Sequence, residues 1–219
     1  TIMSLVMSIT VFVALQHFTR LLDASKSVQD LYTSDYAIAN EISGIPAEAV
    51  QAFKENRAVE NVSATRLCVF MPDTGDEPPF ETDLSVLSHE TLQLVHIDAS
   101  QLRRCAPNLS NQDIQALNDG TGCLVKNPIA FSYGDTPVQH TELAVGDTIQ
   151  LGNRTIQVVG LIDAPITVNN AGFINGVQLI VNEELYCSLL GNDSYSEIYL
   201  TLQDQTDTDS FERWLDNWC

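Results

Sequence analysis

Residues 143–161 read LAVGDTIQLGNRTIQVVGL. From Thr148 to Leu151 and from Thr155 to Leu161 apolar and polar side chains alternate, the period of a half-buried strand. Between the two runs stands Gly152-Asn153, a two-residue connection of the kind that closes hairpins. The stretch therefore predicts two antiparallel strands. Gly146, followed by Asp147, permits a tight turn into the first strand, and Gly160 permits close backbone approach or a bulge in the second. Gly146, Asp147, Gly152, Asn153 and Gly160 are read as structural turn positions.

Around this hairpin the texture is β-rich. Leu92 to Ile97, Cys123 to Val125 and Val177 to Val181 are short apolar runs that predict strands, with helical stretches over 110–117 and 183–190. Upstream, Tyr36 to Asn40 predicts a strand. Pro46 opens a helix running to about Val59, with Val50 and Phe53 on its buried face, and Val62 to Phe70 predicts a strand. The proline-rich stretch 71–80 is a loop. Downstream, Ile198, Leu200 and Leu202 alternate. A final helix then begins at Asp207 and Asp209, with Phe211, Trp214, Leu215 and Trp218 at helical spacing. An alternative reading of those aromatics is an interfacial belt before a membrane span. The simplest organisation is an α+β fold: an α/β subdomain from 33–90 plus 193–219, with a β-rich subdomain inserted at 91–192.

The first residues are of another kind. Thr1 to Thr19 carries no charged side chain and is almost continuously apolar. About 20 such residues span a bilayer core, and the stretch has neither the positive leader nor the cleavage site of a signal peptide. It reads as the later part of a transmembrane helix, with a buried soluble helix as the alternative. Leu21, Leu22, Val28 and Leu31 continue the helical spacing while Arg20, Asp23, Lys26 and Asp30 are polar. Residues 1–32 are thus expected to be the end of a membrane helix that leaves the bilayer as an amphipathic stalk.

Charge and chemistry exclude several classes. The 219 residues include 29 acidic and 10 basic side chains, for a formal charge of −19. Such a chain is repelled by nucleic acids, and a low basic content suits a segment outside the cytoplasm. No phosphate-binding, dinucleotide or hydrolase motif occurs. Asp73-Thr74-Gly75 matches the aspartic-protease tripeptide, but it follows Pro72 and has no second copy; it reads as a turn. The histidines, His17, His89, His96 and His140, lack metal-ligand spacing. Asp204, Asp207 and Asp209 lack the glycine and terminal glutamate of a calcium loop. The expectation is no catalytic residue, no cofactor and no metal. The five cysteines form no CxxC pair; an extracytoplasmic location permits a bridge, and Cys105 with Cys123 is the first pair to test.

Together these features carry a resemblance. Ser4-Leu5 and Ser8-Ile9 in the leading helix, Ser34-Asp35-Tyr36, residues 143–151, residues 156–162 and the ending 184–190 resemble the FtsX/MacB-like permeases of ABC transporters over nearly the whole chain. The resemblance implies an extracytoplasmic domain between the first two transmembrane helices. It comprises a mixed α/β porter-like subdomain with an inserted β-rich sabre-like subdomain. It implies further a cell-membrane location, a cytoplasmic ATPase subunit or domain, a second permease copy or half, and an extracellular protein or peptide substrate. In that setting Leu21, Leu22, Val28 and Leu31 would form the coupling face of the stalk. The competing expectation is a membrane-anchored binding or adhesion module with no ATPase partner.

Overall fold

The computed structural model describes residues 30–40, 44–71, 75, 77–83, 91–128, 132–133, 136–137, 141–163, 176–191 and 194–216. The hairpin of the opening stretch is there at one edge of the main sheet. Strand β8 (Thr148–Leu151) pairs antiparallel with β9 (Arg154–Leu161), Leu151 opposite Arg154. Gly152 has φ +60° while Asn153 keeps a negative φ, the backbone pattern of a II′ turn, whose twist matches the strands.

The remaining strands of this sheet are β1 (Tyr36–Ala39), β3 (Val59–Phe70), β4 (Thr91–His96), β5 (Gly122–Lys126), β10 (Gly176–Val181) and β12 (Glu197–Leu202). Their order is β1-β12-β3-β4-β10-β5-β9-β8. The pairs β4–β10 and β5–β9 are parallel and the others antiparallel. Two short pairs stand apart, β2 (Ile45–Pro46) with β11 (Ser194–Tyr195) and β6 (Ser132–Tyr133) with β7 (Thr136–Pro137). Because β3 from the first segment pairs with β4 from the inserted one, a single sheet runs through both.

Helices cover the two faces. On one face lie α1 (Ala47–Glu55) and α5 (Thr208–Leu215), whose Val50, Phe53 and Phe211 pack on Val62, Ile198 and Leu200. On that face too lies α4 (Glu183–Leu190), whose Leu185 and Tyr186 join Leu92, Leu94, Val125 and Val158. The opposite face holds α2 (Ala99–Cys105) and α3 (Asn111–Asn118), where Leu102 and Leu117 meet Val95, Leu124 and Ile180. This is an α+β fold around one mixed sheet.

Several expectations need correction. The helix from Pro46 stops at Glu55, and Val59 starts β3. Asn56 is extended, its NH bonded to Phe53 O and its side chain accepting from Ala58 N, which ends the helix. Helix α2 was not foreseen. Strand β12 is buried along nearly its whole length rather than alternately, because both of its faces are covered. Cys105 and Cys123 are free thiols. They lie on opposite sides of the sheet in separate cores, so no bridge joins them.

The segment after β3 runs along the outer edge of β8. Thr82 forms a bridge with Leu151, Asp83 N donates to Gln150 O at 3.1 Å, and Gly152 N donates to Glu81 O.

Candidate functional site

The central strands β4 and β10 lie side by side, parallel, and end at His96 and Val181. After β4 the chain turns into α2 on one face; after β10 it turns into α4 on the other. Diverging connections of this kind leave a crevice at the carboxyl ends of neighbouring parallel strands. Here that crevice is a cleft of about 240 Å³. Ile97 and Asp98, just after β4, and Asn182 and Glu183, just after β10, line it. Val50 and Lys54 of α1, Val62 of β3 and Tyr195 of β11 line it too. The cleft therefore sits where the ends of β4 and β10 meet α1, β3 and β11.

Three of its lining residues, His96, Glu183 and Tyr195, gather around Arg66. Arg66 and His96 are direct partners in the β3–β4 register. Arg66 is buried and pairs with the half-exposed Glu183. The Tyr195 ring covers the guanidinium at 3.7 Å from its centroid, and Tyr195 Oη donates to Glu183 Oε1 at 3.1 Å. Burial opposes charge on both members of the pair. The mutual hydrogen bond wins, raising the arginine pKa and lowering that of the glutamate. His96 is 6% exposed, and burial, with the Arg66 charge assisting, lowers its pKa. Among the described residues its Nδ1 has no hydrogen-bond partner.

A second constellation holds the incoming chain. Residues 30–32 are helical and the helix stops at Thr33, which has φ +51°. A β-branched residue is costly in that region, and the surroundings fix it there. Arg104 Nη1 donates to Thr33 Oγ1 at 2.7 Å and to Leu31 O at 3.1 Å. Thr201 Oγ1 donates to Thr33 O at 2.7 Å. Tyr32 is 1% exposed and stacks on Tyr199 of β12, centroids 3.8 Å apart and planes within 3°. Burial raises its pKa, and its hydroxyl lies 3.3 Å from Thr65 Oγ1. Leu202 N donates to Asp35 Oδ2 at 2.8 Å.

The residues singled out from sequence fall elsewhere. Leu21, Leu22 and Val28 lie outside the described residues, as does the apolar stretch 1–19. No helix among the described residues is long and apolar enough to cross a membrane. Leu31 is half-buried and packs against Tyr32 and the core under α2. Gly146 has φ +100°, and Asp147 Oδ2 accepts from Ala144 N to close that turn at 2.8 Å. At Gly160 a Cβ would approach Leu109 Cδ2 to 2.9 Å and Leu124 Cδ2 to 3.0 Å, beside an irregularity in the β5–β9 register. None of these five turn residues lines the cleft. Sequence reading missed Arg66, His96, Glu183 and Tyr195. The available signal was a polar residue interrupting an apolar strand, as Arg66 and His96 do. Among the described residues no group of His, Cys, Asp or Glu is arranged to hold a metal.

The sheet, its two helical layers and the docked incoming segment define a mixed α+β domain. The chain belongs to the MacB-like periplasmic core domain family, whose model matches residues 1–217. The family is that of periplasmic domains of ABC-type transporter permeases, and it implies a cytoplasmic ATPase and permease partners. No curated protein matches it in sequence. Among solved structures it is similar to the extracellular domain of the ABC-type transporter YknZ from Gram-positive bacteria, at 11% identity and TM-score 0.45, over 78% of this chain and 79% of that one. It is similar also to the periplasmic region of MacB from Actinobacillus actinomycetemcomitans, at 10% identity and TM-score 0.44, over 81% and 72%.

Proposed function

We propose that the domain relays nucleotide-driven movement from the cytoplasmic ATPase to the outer side of the membrane. There it moves or exports a peptide, antibiotic or lipoprotein-type substrate, and it performs no chemistry of its own. The observation that carries this reading is the seating of residues 31–35. A helix end fixed by the Tyr32–Tyr199 stack, the Arg104 clamp and three β12 contacts transmits displacement to the sheet without slack. A packed junction of this kind moves as a unit. Strand β12 then continues into α5, so both flanks of the domain converge on one strand.

The test uses the complete transporter in nanodiscs, with one label on the stalk and another on α3. ATP is expected to change their separation in the unaltered protein. A Tyr32→Ala, Arg104→Ala double variant should keep ATP turnover and lose most of that change. Tyr32→Phe, which retains the stack, should keep it. Unaltered label movement in the double variant would sink the relay.

A further inference from the structure

We propose that the bare edge of β1, together with the apolar groove beside it, takes an extended segment of a basic partner polypeptide as an added strand. The backbone sets the first requirement. Tyr36 stands opposite Leu200 and Ile38 opposite Ile198, and just beyond the strand Asn40 N donates to Ser196 O. Backbone groups of successive strand residues point to opposite sides. Those of Tyr36 and Ile38 therefore serve β12, and those of Ala37 and Ala39 point away from the sheet. Among the described residues neither alanine makes a hydrogen bond on that side. Ala37 is half-buried and Ala39 exposed, and both are small, so a further strand can approach to the usual spacing of about 4.8 Å. The other end of the sheet differs, since residues 81–83 occupy the edge of β8.

The groove sets the second requirement. Ile38, Ile45, Pro46, Ala49 and Phe53 line a cavity of about 240 Å³ beside the strand. It has room for about eight water-sized groups at about 30 Å³ each, enough for one leucine or phenylalanine side chain. Ile38 belongs to the face that α1 covers. Side chains of a strand laid along β1 would alternate between that face and the other, so every second one is directed to the groove side. Backbone pairing combined with a pocket for alternate side chains is how sheet edges take extended peptides. Charge then selects the occupant. Among the described residues no charged side chain lines the groove. Glu48, in the first turn of α1, and Glu212, which accepts from the Tyr36 hydroxyl at 2.9 Å, flank the edge. Lys54, the lysine of α1, lines the other cleft. With a net charge of −19, a second copy of this chain is repelled and a basic segment is attracted. The inference goes beyond the relay and stands whether or not the domain transmits movement.

The experiment follows amide hydrogen exchange at Ala37 and Ala39 by NMR, on the full chain labelled with ¹⁵N-alanine in detergent micelles. The probe is a capped peptide of sequence Lys-Val-Thr-Leu-Thr-Val-Lys. Adding it at low salt is expected to slow exchange of both amides saturably, by about tenfold or more. The same peptide with glutamates in place of its lysines should bind about tenfold more weakly. Two further versions carry N-methyl groups on alternate amides, one set each. The version methylated on the amides that face β1 should lose about tenfold in affinity, the scale of the hydrogen bonds removed. Ala39→Pro deletes an outward N–H and leaves the ladder to β12 whole, and it should weaken binding of the parent peptide. The methylated peptides test the same pairing on the unaltered chain. The site is overturned by absence of saturable protection, by both methylated versions binding like the parent, by the acidic version binding as tightly, or by undiminished binding to a folded Ala39→Pro chain. Protection that grows with protein concentration when no peptide is present would give the edge to a second copy and overturn it as well.

Discussion

Arg66 and Glu183 are unequal partners, and their inequality governs how the pair responds to substitution. The arginine side chain is 4% exposed and the glutamate 51%. Removing the Glu183 side chain strands a buried guanidinium under Tyr195, whereas a glutamine in its place would still accept a hydrogen bond from it. Glu183→Ala is therefore expected to destabilise the chain by about 3 kcal/mol, the cost of an uncompensated buried charge, and Glu183→Gln by clearly less. Urea denaturation of both variants checks this, and equal losses would show that the hydrogen bond retained by glutamine is immaterial. Little of this cluster was readable beforehand. Its members stand at positions 66, 96, 183 and 195 and meet only because β3 and β4 align Arg66 with His96. The turn glycines were readable because a turn is a local matter: Gly146 and Gly152 take positive φ within a few residues of the strands they join. The cysteine pairing failed for the opposite reason. Side-chain direction alternates along a strand, and nothing near Cys105 or Cys123 in sequence reveals that they enter different cores.

The elements divide in the same way. The hairpin, β3, β4, β5, β10 and the helices at 111–118, 183–190 and 208–215 follow from hydrophobic period and caps. Ser110, for instance, accepts from Asp113 N while Asp113 reaches back to Ser110 N, the reciprocal cap of a helix start. Helix α2 escaped because its seven residues, ASQLRRC, carry two arginines and only Leu102 and Cys105 as apolar anchors, too short for a period to show. The pairing of β10 with β4 begins at Gly176, where a Cβ would lie 2.0 Å from the Thr91 carbonyl oxygen. That neighbour is backbone and cannot swing aside, whereas the Cβ at Gly160 would meet the ends of two leucines. Gly176→Ala is expected to cost about 3 kcal/mol and Gly160→Ala about 1 kcal/mol, the range found for overpacking with and without room to adjust. The denaturation midpoints of the two variants decide it; a larger loss at Gly160 would contradict the argument.

At the scale of the molecule, the sheet makes the two segments one mechanical body, and protons act on the place where they join. His96 has a pKa below its ordinary value of 6.5 because burial disfavours its charge. The unfolded chain therefore takes up that proton before the folded one does. Stability from this group is complete above about pH 6.5 and falls as pH drops below it. Glu183, lowered from 4.5, adds a further loss only in more acid solution. The melting temperature is expected to be lower at pH 5.5 than at pH 7.5, and His96→Gln should narrow that difference. Scanning calorimetry at the two pH values measures it, and an undiminished difference in the variant would move the cause elsewhere. Sequence could propose the two segments and their order, but the strand order linking them depends on pairings between distant residues, such as Gly176 with Thr91.

The short run of backbone bonds from residues 81–83 to β8 has a further consequence. A sheet edge left bare recruits strands from other molecules, and an acidic surface restrains such association only while salt is low. By occupying the donors and acceptors around Gln150 and Gly152, this proline-led segment (Pro78 and Pro79 precede it) acts as a guard against polymerisation. Its length is thereby constrained by solubility, independently of anything the permease transports.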